Sequence, residues 1–352
     1  MRDTADRQDA YEARIAALEA KIAAMEGARD ARAVARPRPK DWLERYALLL
    51  AWAAVILILG ALRPEQMFAW NSYATMLGSN AMVVVLTLAL IVPLTTGDFD
   101  LSVAATMGLS SMLIAVLNVQ QGLPVGGAIA VALLAGAAIG AVNAFFILYF
   151  RVFSLIVTLG TGYFVAGLIL WVSDGGTVAG VSMDLVRAVI LTRVLGIPVG
   201  FYYAALLTLG LWYLFQHTAL GRRMLFVGRG REVARLSGVN VTAVRAGALI
   251  GSSTLAAFAG VLYTGMRGVA DPSSALAFLL PAFAAAFLGS TAIYPGRFNA
   301  IGAFVAVYFL STGIMGLNFL GVDSFVQNLF YGGGLVVAVA ASQLVRGRKE
   351  MS

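Results

Sequence analysis

Past residue 45 the chain is a succession of apolar runs separated by short polar breaks. The runs cover residues 46–62, 80–96, 101–117, 125–150, 152–172, 197–215, 244–266, 276–288, 300–317 and 325–344. An α-helix that crosses a bilayer needs about 20 consecutive, mostly apolar residues, and most of the runs approach that length. Residues 276–288 are short for a full crossing and read as a broken helix. The pattern predicts an all-α protein, a polytopic membrane helical bundle of about ten transmembrane helices within residues 46–345.

Residues 1–45 follow a different pattern. Ile15, Leu18, Ile22 and Met25 recur at three- and four-residue steps, with Glu12, Arg14, Glu19 and Lys21 between them. This predicts a short soluble helix with a coiled-coil-like stripe of about two heptads, fewer than a secure coiled coil uses. Gly27 ends the pattern, and Arg36-Pro37-Arg38-Pro39-Lys40 forms a stiff basic linker. The helix either pairs with a partner or is a marginal surface helix on a tail, since isolated helices this short are barely stable. The charged start without an apolar core argues against a cleaved signal peptide. Residues 346–352 form a short C-terminal tail.

Composition sharpens the membrane reading. Of 352 residues, 60% are hydrophobic and 12% charged, against about 25% charged in a soluble domain. Half of the 18 acids lie before residue 46. Cysteine is absent, which excludes disulfides, thiolate metal sites and thiol nucleophiles. The net charge of +7 would suit nucleic acid, but the arginines sit between apolar runs, where they report membrane topology. With ten crossings and a cytoplasmic N-terminus, the basic tail, Arg151, the arginines from Arg222 to Arg245, Arg297 and the basic C-terminus share the cytoplasmic side. Arg63, Arg187, Arg193 and Arg267 fall opposite. Both termini are therefore expected to be cytoplasmic. Among the 38 glycines, Gly136-x-x-x-Gly140 and Gly247-x-x-x-Gly251 are spaced for close helix contacts. Packing within the chain is expected for both, with dimerisation the alternative.

Recognisable catalytic chemistry is missing. There is no G-x-x-x-x-G-K-[ST] loop for ATP phosphates, no G-x-S-x-G elbow and no H-E-x-x-H. His217, the single histidine, has no companion at ligand spacing. The chain is therefore not read as an enzyme, and no metal site is expected. Asp98 and Asp100 are the acids set against apolar runs, within Thr95-Thr96-Gly97-Asp98-Phe99-Asp100-Leu101-Ser102. Two acids beside Gly97 predict an irregular turn in which Asp100 or Ser102 caps the following helix. A cation-coupling site is the alternative. Residues 217–243 form a basic cytoplasmic segment in which 231–236 is helical and Gly238 stops the helix. That helix either anchors at headgroups or docks a cytoplasmic partner.

At these positions the chain resembles the permease subunits of ATP-binding-cassette importers of the ribose/monosaccharide branch. Gly97-Asp98-Phe99-Asp100-Leu101-Ser102-Val103 is similar to G-G-I-D-L-S-V-G. Gly140-Ala141-Val142-Asn143 and Ile156-Val157-Thr158-Leu159-Gly160-Thr161 are similar to G-A-V-N-G and I-V-T-L-G-T. Leu220-Gly221-Arg222-Arg223, continuing through Ala234-Arg235-Leu236-Ser237-Gly238-Val239-Asn240, resembles the cytoplasmic L-G-R-x-x-x-A-x-G-x-N-x-x-A-A-x-x-S-G-I. Gly289-Ser290-Thr291-Ala292 with Gly296-Arg297 resembles G-G-T-S-L-x-G-G-R-G. The resemblance spans about residues 80–345. Departures are Asp98 and Ser290 for glycines, Ala144 for the glycine after Asn143, Tyr294-Pro295, and a coupling loop made more basic by Arg229-Gly230-Arg231.

The resemblance implies import of a monosaccharide or similar small polyhydroxy solute across a bacterial inner membrane. It implies a second permease copy, usually as a homodimer, a cytoplasmic ATPase that binds ATP and Mg, and a periplasmic or extracellular binding protein. Beyond these, membrane lipid is the expected partner and nucleic acid is not, and no cofactor is expected on this chain. Residues 230–238 would be the coupling helix, with Gly230, Glu232, Ala234, Arg235 and Gly238 contacting the ATPase. Asn143, Thr158 and Thr161 are candidates for the translocation path; Thr158 and Thr161 share a helix face, although such hydroxyls also bond to their own helix or a neighbour. Other solutes (a nucleoside, a polyol or a signalling furanose), a stand-alone ion-coupled carrier, and a membrane scaffold are the alternatives.

Overall fold

A computed structural model of the chain describes Arg14 and residues 39–350. The predicted helix through Ile15, Leu18, Ile22 and Met25 lies outside the described residues. The chain divides into two compact units, 1–44 and 45–352; the second holds the apolar helices.

The architecture is all-α. In chain order the helices are α1 (Pro39–Leu62), α2 (Pro64–Met67), α3 (Trp70–Ser79), α4 (Ala81–Thr95), α5 (Val103–Ala115, extended by a π-helical turn Val116–Gln120) and α6 (Val125–Tyr149). Then come α7 (Ser154–Val172), α8 (Met183–Val186), α9 (Val199–His217), α10 (Ala219–Arg229), α11 (Arg231–Leu236) and α12 (Val241–Arg267). A 3-10 turn (Ala275–Phe278) leads into α13 (Leu279–Gly289), followed by α14 (Ala300–Phe319) and α15 (Ser324–Glu350). Among the described residues, seven helices are long and apolar enough to cross a membrane, or eight if α3 and α4 count as one span bent by 43°. Two shorter apolar helices, Ala275–Gly289 and Phe325–Ala340, accompany them. The hydropathy reading passes over α3, because Asn71, Ser72, Thr75 and Ser79 interrupt its apolar pattern.

The helices form an inner and an outer set. Every residue of α4 is buried, as befits a helix apolar on all sides. Around it pack α12, α13, α14 and α9, while α5 and α6 pack along α12. The outer helices α1, α6, α7 and α9 expose leucine, phenylalanine and tyrosine side chains such as Leu57, Leu134, Phe164 and Leu206, surfaces suited to lipid or a partner.

Contacts between connections sort them into two ends. At one end Arg231 reaches the Gly97 carbonyl (2.8 Å), Ser154 accepts from the Phe99 amide, and the Ile293 amide donates to the Arg45 carbonyl. At the other end β1 (Val178–Ala179) pairs with β4 (Val269–Ala270) in antiparallel fashion. There too Asn118 accepts from the Ser182 amide and Thr177 donates to Asp271. The Ser273 amide and hydroxyl, with Thr177 and the Ser274 amide, hold the Asp271 carboxyl below the usual carboxylate range. A hairpin of β2 (Arg193–Val194) and β3 (Ile197–Pro198) turns at Leu195 and Gly196, both at positive φ, as a two-residue turn that follows strand twist requires.

The two small-residue motifs part company. A Cβ on Gly140 would fall 2.6 Å from Ile250 Cα and 2.8 Å from the Leu249 carbonyl, and one on Gly136 would strike Ala257. This motif therefore seats α6 on α12. Gly247 and Gly251 have nothing within 4 Å of such a Cβ. The expectation of packing within the chain is corrected for them, because they sit on the face of α12 turned away from its neighbours. Gly140→Val is expected to lower stability by about 1–3 kcal/mol through overpacking, whereas Gly247→Val should stay within about 0.5 kcal/mol. Thermal unfolding of the detergent-solubilised chain, followed by tryptophan fluorescence, separates the two; equal melting of both variants would refute the packing assignment.

Candidate functional site

The site begins with the end of α4. Gly97 adopts φ +80, a left-handed conformation that glycine takes without Cβ strain. Its amide bonds to the Leu94 carbonyl, and the Asp98 amide bonds to that of Pro93. These are the paired bonds of a Schellman stop. The chain then runs irregularly to Ser102 before α5 starts. Irregular backbone at membrane depth survives only where protein satisfies its polar groups, and each neighbour here supplies a bond. The Phe99 amide donates to Ser154 Oγ (3.1 Å) and the Leu101 amide to Thr158 Oγ1 (3.0 Å). Thr158 in turn donates to the Ser154 carbonyl one helical turn back (2.8 Å).

The two acids play different parts. Asp98, with 2% of its side chain exposed, accepts from two guanidiniums. Arg245, near the start of α12, grips it with both Nε and Nη2 at 2.7 Å. Arg231, the first residue of α11, reaches Oδ1 at 3.0 Å and also donates to the Gly97 and Thr96 carbonyls. One guanidinium thus neutralises Asp98 and caps the negative end of α4. Asp100 is fully buried without an arginine. Its Oδ1 accepts from the Ser102 amide (3.1 Å) and hydroxyl, and its Oδ2 from the Ser252 hydroxyl (3.0 Å). Asn143 Nδ2 donates to Ser102 Oγ (2.9 Å), leaving Asn143 Oδ1 buried without a partner.

The expected side-chain cap on α5 is corrected: Ser102 occupies the N-cap position without making a capping bond, and Asp100 accepts from the amide of Ser102 itself, ahead of the helix. Asn143 and Thr158 meet the Gly97–Ser102 turn, whereas Thr161, a turn further along α7, is half-buried and joins none of these bonds. Sequence reasoning does not single out Arg231, Arg245, Ser154 and Ser252. A usable signal exists: a lone acid in an apolar setting demands a cation, and these arginines belong to the segment placed at the same end.

The residues expected to form a coupling helix lie together beside this turn. Gly230 is extended between α10 and α11, and Glu232 pairs with Arg235 at 2.7 Å on an exposed face. Ala234 is buried against the bundle, while Val233 and Leu236 point outward with 59% and 83% exposure. Gly238, at φ +81, ends α11 with the Gly238 amide on the Arg235 carbonyl and the Val239 amide on that of Ala234. Chemically, the arrangement fixes helices and presents a short apolar knob. No cluster of three metal-ligating side chains occurs among the described residues.

Removing the Asp98 charge leaves Arg245, 15% exposed, facing a neutral group. Asp98→Asn is therefore expected to destabilise the fold by about 3 kcal/mol, and adding Arg245→Met to restore part of that loss. Denaturant unfolding of the detergent-solubilised variants checks this; a double variant no more stable than the single would show that the pair's charge is not what matters.

The comparisons with known proteins agree in direction. The D-allose transport system permease protein AlsC of Escherichia coli (strain K12) is 29% identical over 302 residues, 86% of this chain and 92% of that protein. The ribose import permease protein RbsC of the same strain is 29% identical over 304 residues, 85% and 94% respectively. The autoinducer 2 import system permease protein LsrD, also of strain K12, is 31% identical over 317 residues, 87% and 95%. No solved structure matches the chain. The profile of the branched-chain amino acid transport system / permease component family matches residues 72–339, and with a bundle of membrane-length helices around an immobilised inter-helical turn, the chain belongs to that family.

Proposed function

We propose that the chain is the membrane-spanning subunit of an ATP-driven importer for a monosaccharide or similar small polyhydroxy solute. The observation that carries this reading is near full-length similarity to permeases for D-allose, ribose and autoinducer 2. The chain lacks a phosphate-binding loop, so ATP and Mg belong on a separate cytoplasmic ATPase. A second permease copy and a binding protein that delivers solute complete the assembly. The open faces of Gly247 and Gly251 on α12 and the exposed side chains of α7 suit a second copy. The autoinducer 2 relative, at 31% identity, favours a signalling furanose as the second reading of the solute. An ion-coupled carrier has less support, since arginines of the chain itself occupy the cation positions around Asp98.

Ten crossings arise if the bent α3–α4 pair and the two shorter apolar helices each traverse the bilayer with the seven long ones. The arginine-rich end carrying α10 and α11 then faces the cytoplasm with both termini. Cysteine introduced at Glu232 should escape an impermeant thiol reagent in intact cells, and cysteine at Leu195 should react. The opposite pattern would invert the topology.

On this reading α11 is the coupling helix, with Val233 and Leu236 seated in the ATPase and Glu232 and Arg235 beside them. Asn143, Thr158 and Thr161 are retained for the path, where alanine replacements should lower uptake per assembled complex. An exposed pair such as Glu232–Arg235 contributes under about 1 kcal/mol, so its reversal spares the fold. Glu232→Arg with Arg235→Glu, and separately Leu236→Asp, should release the ATPase or uncouple hydrolysis from uptake in proteoliposomes at normal permease abundance. Undiminished uptake and substrate-stimulated hydrolysis in both variants would reject the coupling role.

A further inference from the structure

Between α6, α7, α11 and the start of α12 lies a cleft of about 700 Å³. Four arginines line it, Arg151, Arg231, Arg235 and Arg245, against the two acids Asp98 and Glu232. Asp98 is shared by Arg231 and Arg245, and Glu232 by Arg235 alone. The cleft therefore carries an excess of two positive charges. Arg151 supplies one of them, since it has no ion-pair partner among the described residues. It also stands at φ +57, a left-handed conformation that costs a non-glycine residue and persists where surroundings impose it.

The rest of the lining points to the ligand's character. Leu148, Val152 and Phe153 give the cleft an apolar portion beside the guanidiniums, which a free inorganic anion would leave unused. Just outside, Phe145, Phe146, Tyr149 and Phe150 form an exposed aromatic cluster, with the Phe145 and Tyr149 rings stacked at 5.4 Å. Outward aromatic rings at the end of a spanning helix mark the depth where acyl chains give way to headgroups. Basic pockets between membrane helices at that depth suit anionic headgroups.

We propose that this cleft binds the phosphodiester of an anionic phospholipid, Arg151 and the Arg231–Arg245 pair engaging the phosphate while the apolar portion takes the start of the acyl chains. The site adjoins α11, so a bound lipid steadies the segment assigned above to the ATPase. The binding claim itself needs no transport and stands apart from that assignment.

The test uses the full-length chain, delipidated in mild detergent, with short-chain phosphatidylglycerol, short-chain phosphatidylcholine and inorganic phosphate as probes in calorimetric titration. Phosphatidylglycerol should bind more tightly than phosphatidylcholine, and phosphate at equal concentration should not displace it. Arg151→Gly, which keeps the left-handed backbone and removes the charge, should weaken phosphatidylglycerol about fivefold with phosphatidylcholine unaffected. Arg235→Gln, which leaves the Glu232 carboxylate unpaired in the cleft, should weaken it likewise, and Arg222→Ala, on the exposed face of α10, should not. Equal binding of the two lipids, or an unchanged preference in both cleft variants, would overturn the proposal. Displacement by phosphate would reassign the cleft to small anions. Loss of ATPase association with lipid binding intact in Arg151→Gly would reassign it to a protein contact.

Discussion

The bundle depends on how one carboxylate is neutralised. Asp98 stands where α4 stops, its side chain almost wholly covered, and a covered carboxylate is best accommodated beside a matched cation. Arg245 brings α12 to it and Arg231 brings α11. The same contact therefore ends a fully buried helix, sets the depth at which α12 begins, and hangs the short exposed helix α11 from the core. Separating these partners would strand a buried charge, so the three elements are held as one body at this end.

Around that junction the forces are those of a lipid-solvated protein. Lipid tails are as apolar as leucine, so hydrophobicity does little to bring helices together there, and close packing and internal polar bonds take over. α6 meets α12 backbone to backbone at Gly136 and Gly140. Hydroxyls then tie the irregular 96–102 turn to α7 through Ser154 and Thr158 and to α12 through Ser252. At the other end, short strands and side-chain bonds join loops far apart in sequence, so both ends of the bundle are laced.

Much of this is legible in the chain. Length and apolarity point to membrane helices; Gly238 marks where α11 stops; and the double acid beside Gly97 announces a broken backbone. Hydropathy does not resolve α3, whose polar residues belong to a helix packed on the β2–β3 hairpin and α9 rather than to a loop. Nor can one sequence separate Gly136-x-x-x-Gly140 from Gly247-x-x-x-Gly251, since spacing says nothing of which face meets a neighbour. The partners of Asp98 are hidden because they are more than 130 residues away, and only the fold closes that distance.

The way α11 is suspended has a mechanical consequence. Its buried anchor is Ala234, and its polar tether is Arg231 on the last carbonyls of α4. Helix α4 is enclosed along its whole length, and a packed interior is nearly incompressible. A displacement of the exposed tip at Leu236 would therefore reach the last turn of α4, where Pro93 leaves one helical hydrogen bond unmade. At its other end α4 meets α3 at an angle of 43°. The link between the exposed surface and the enclosed helix is thus only six residues long.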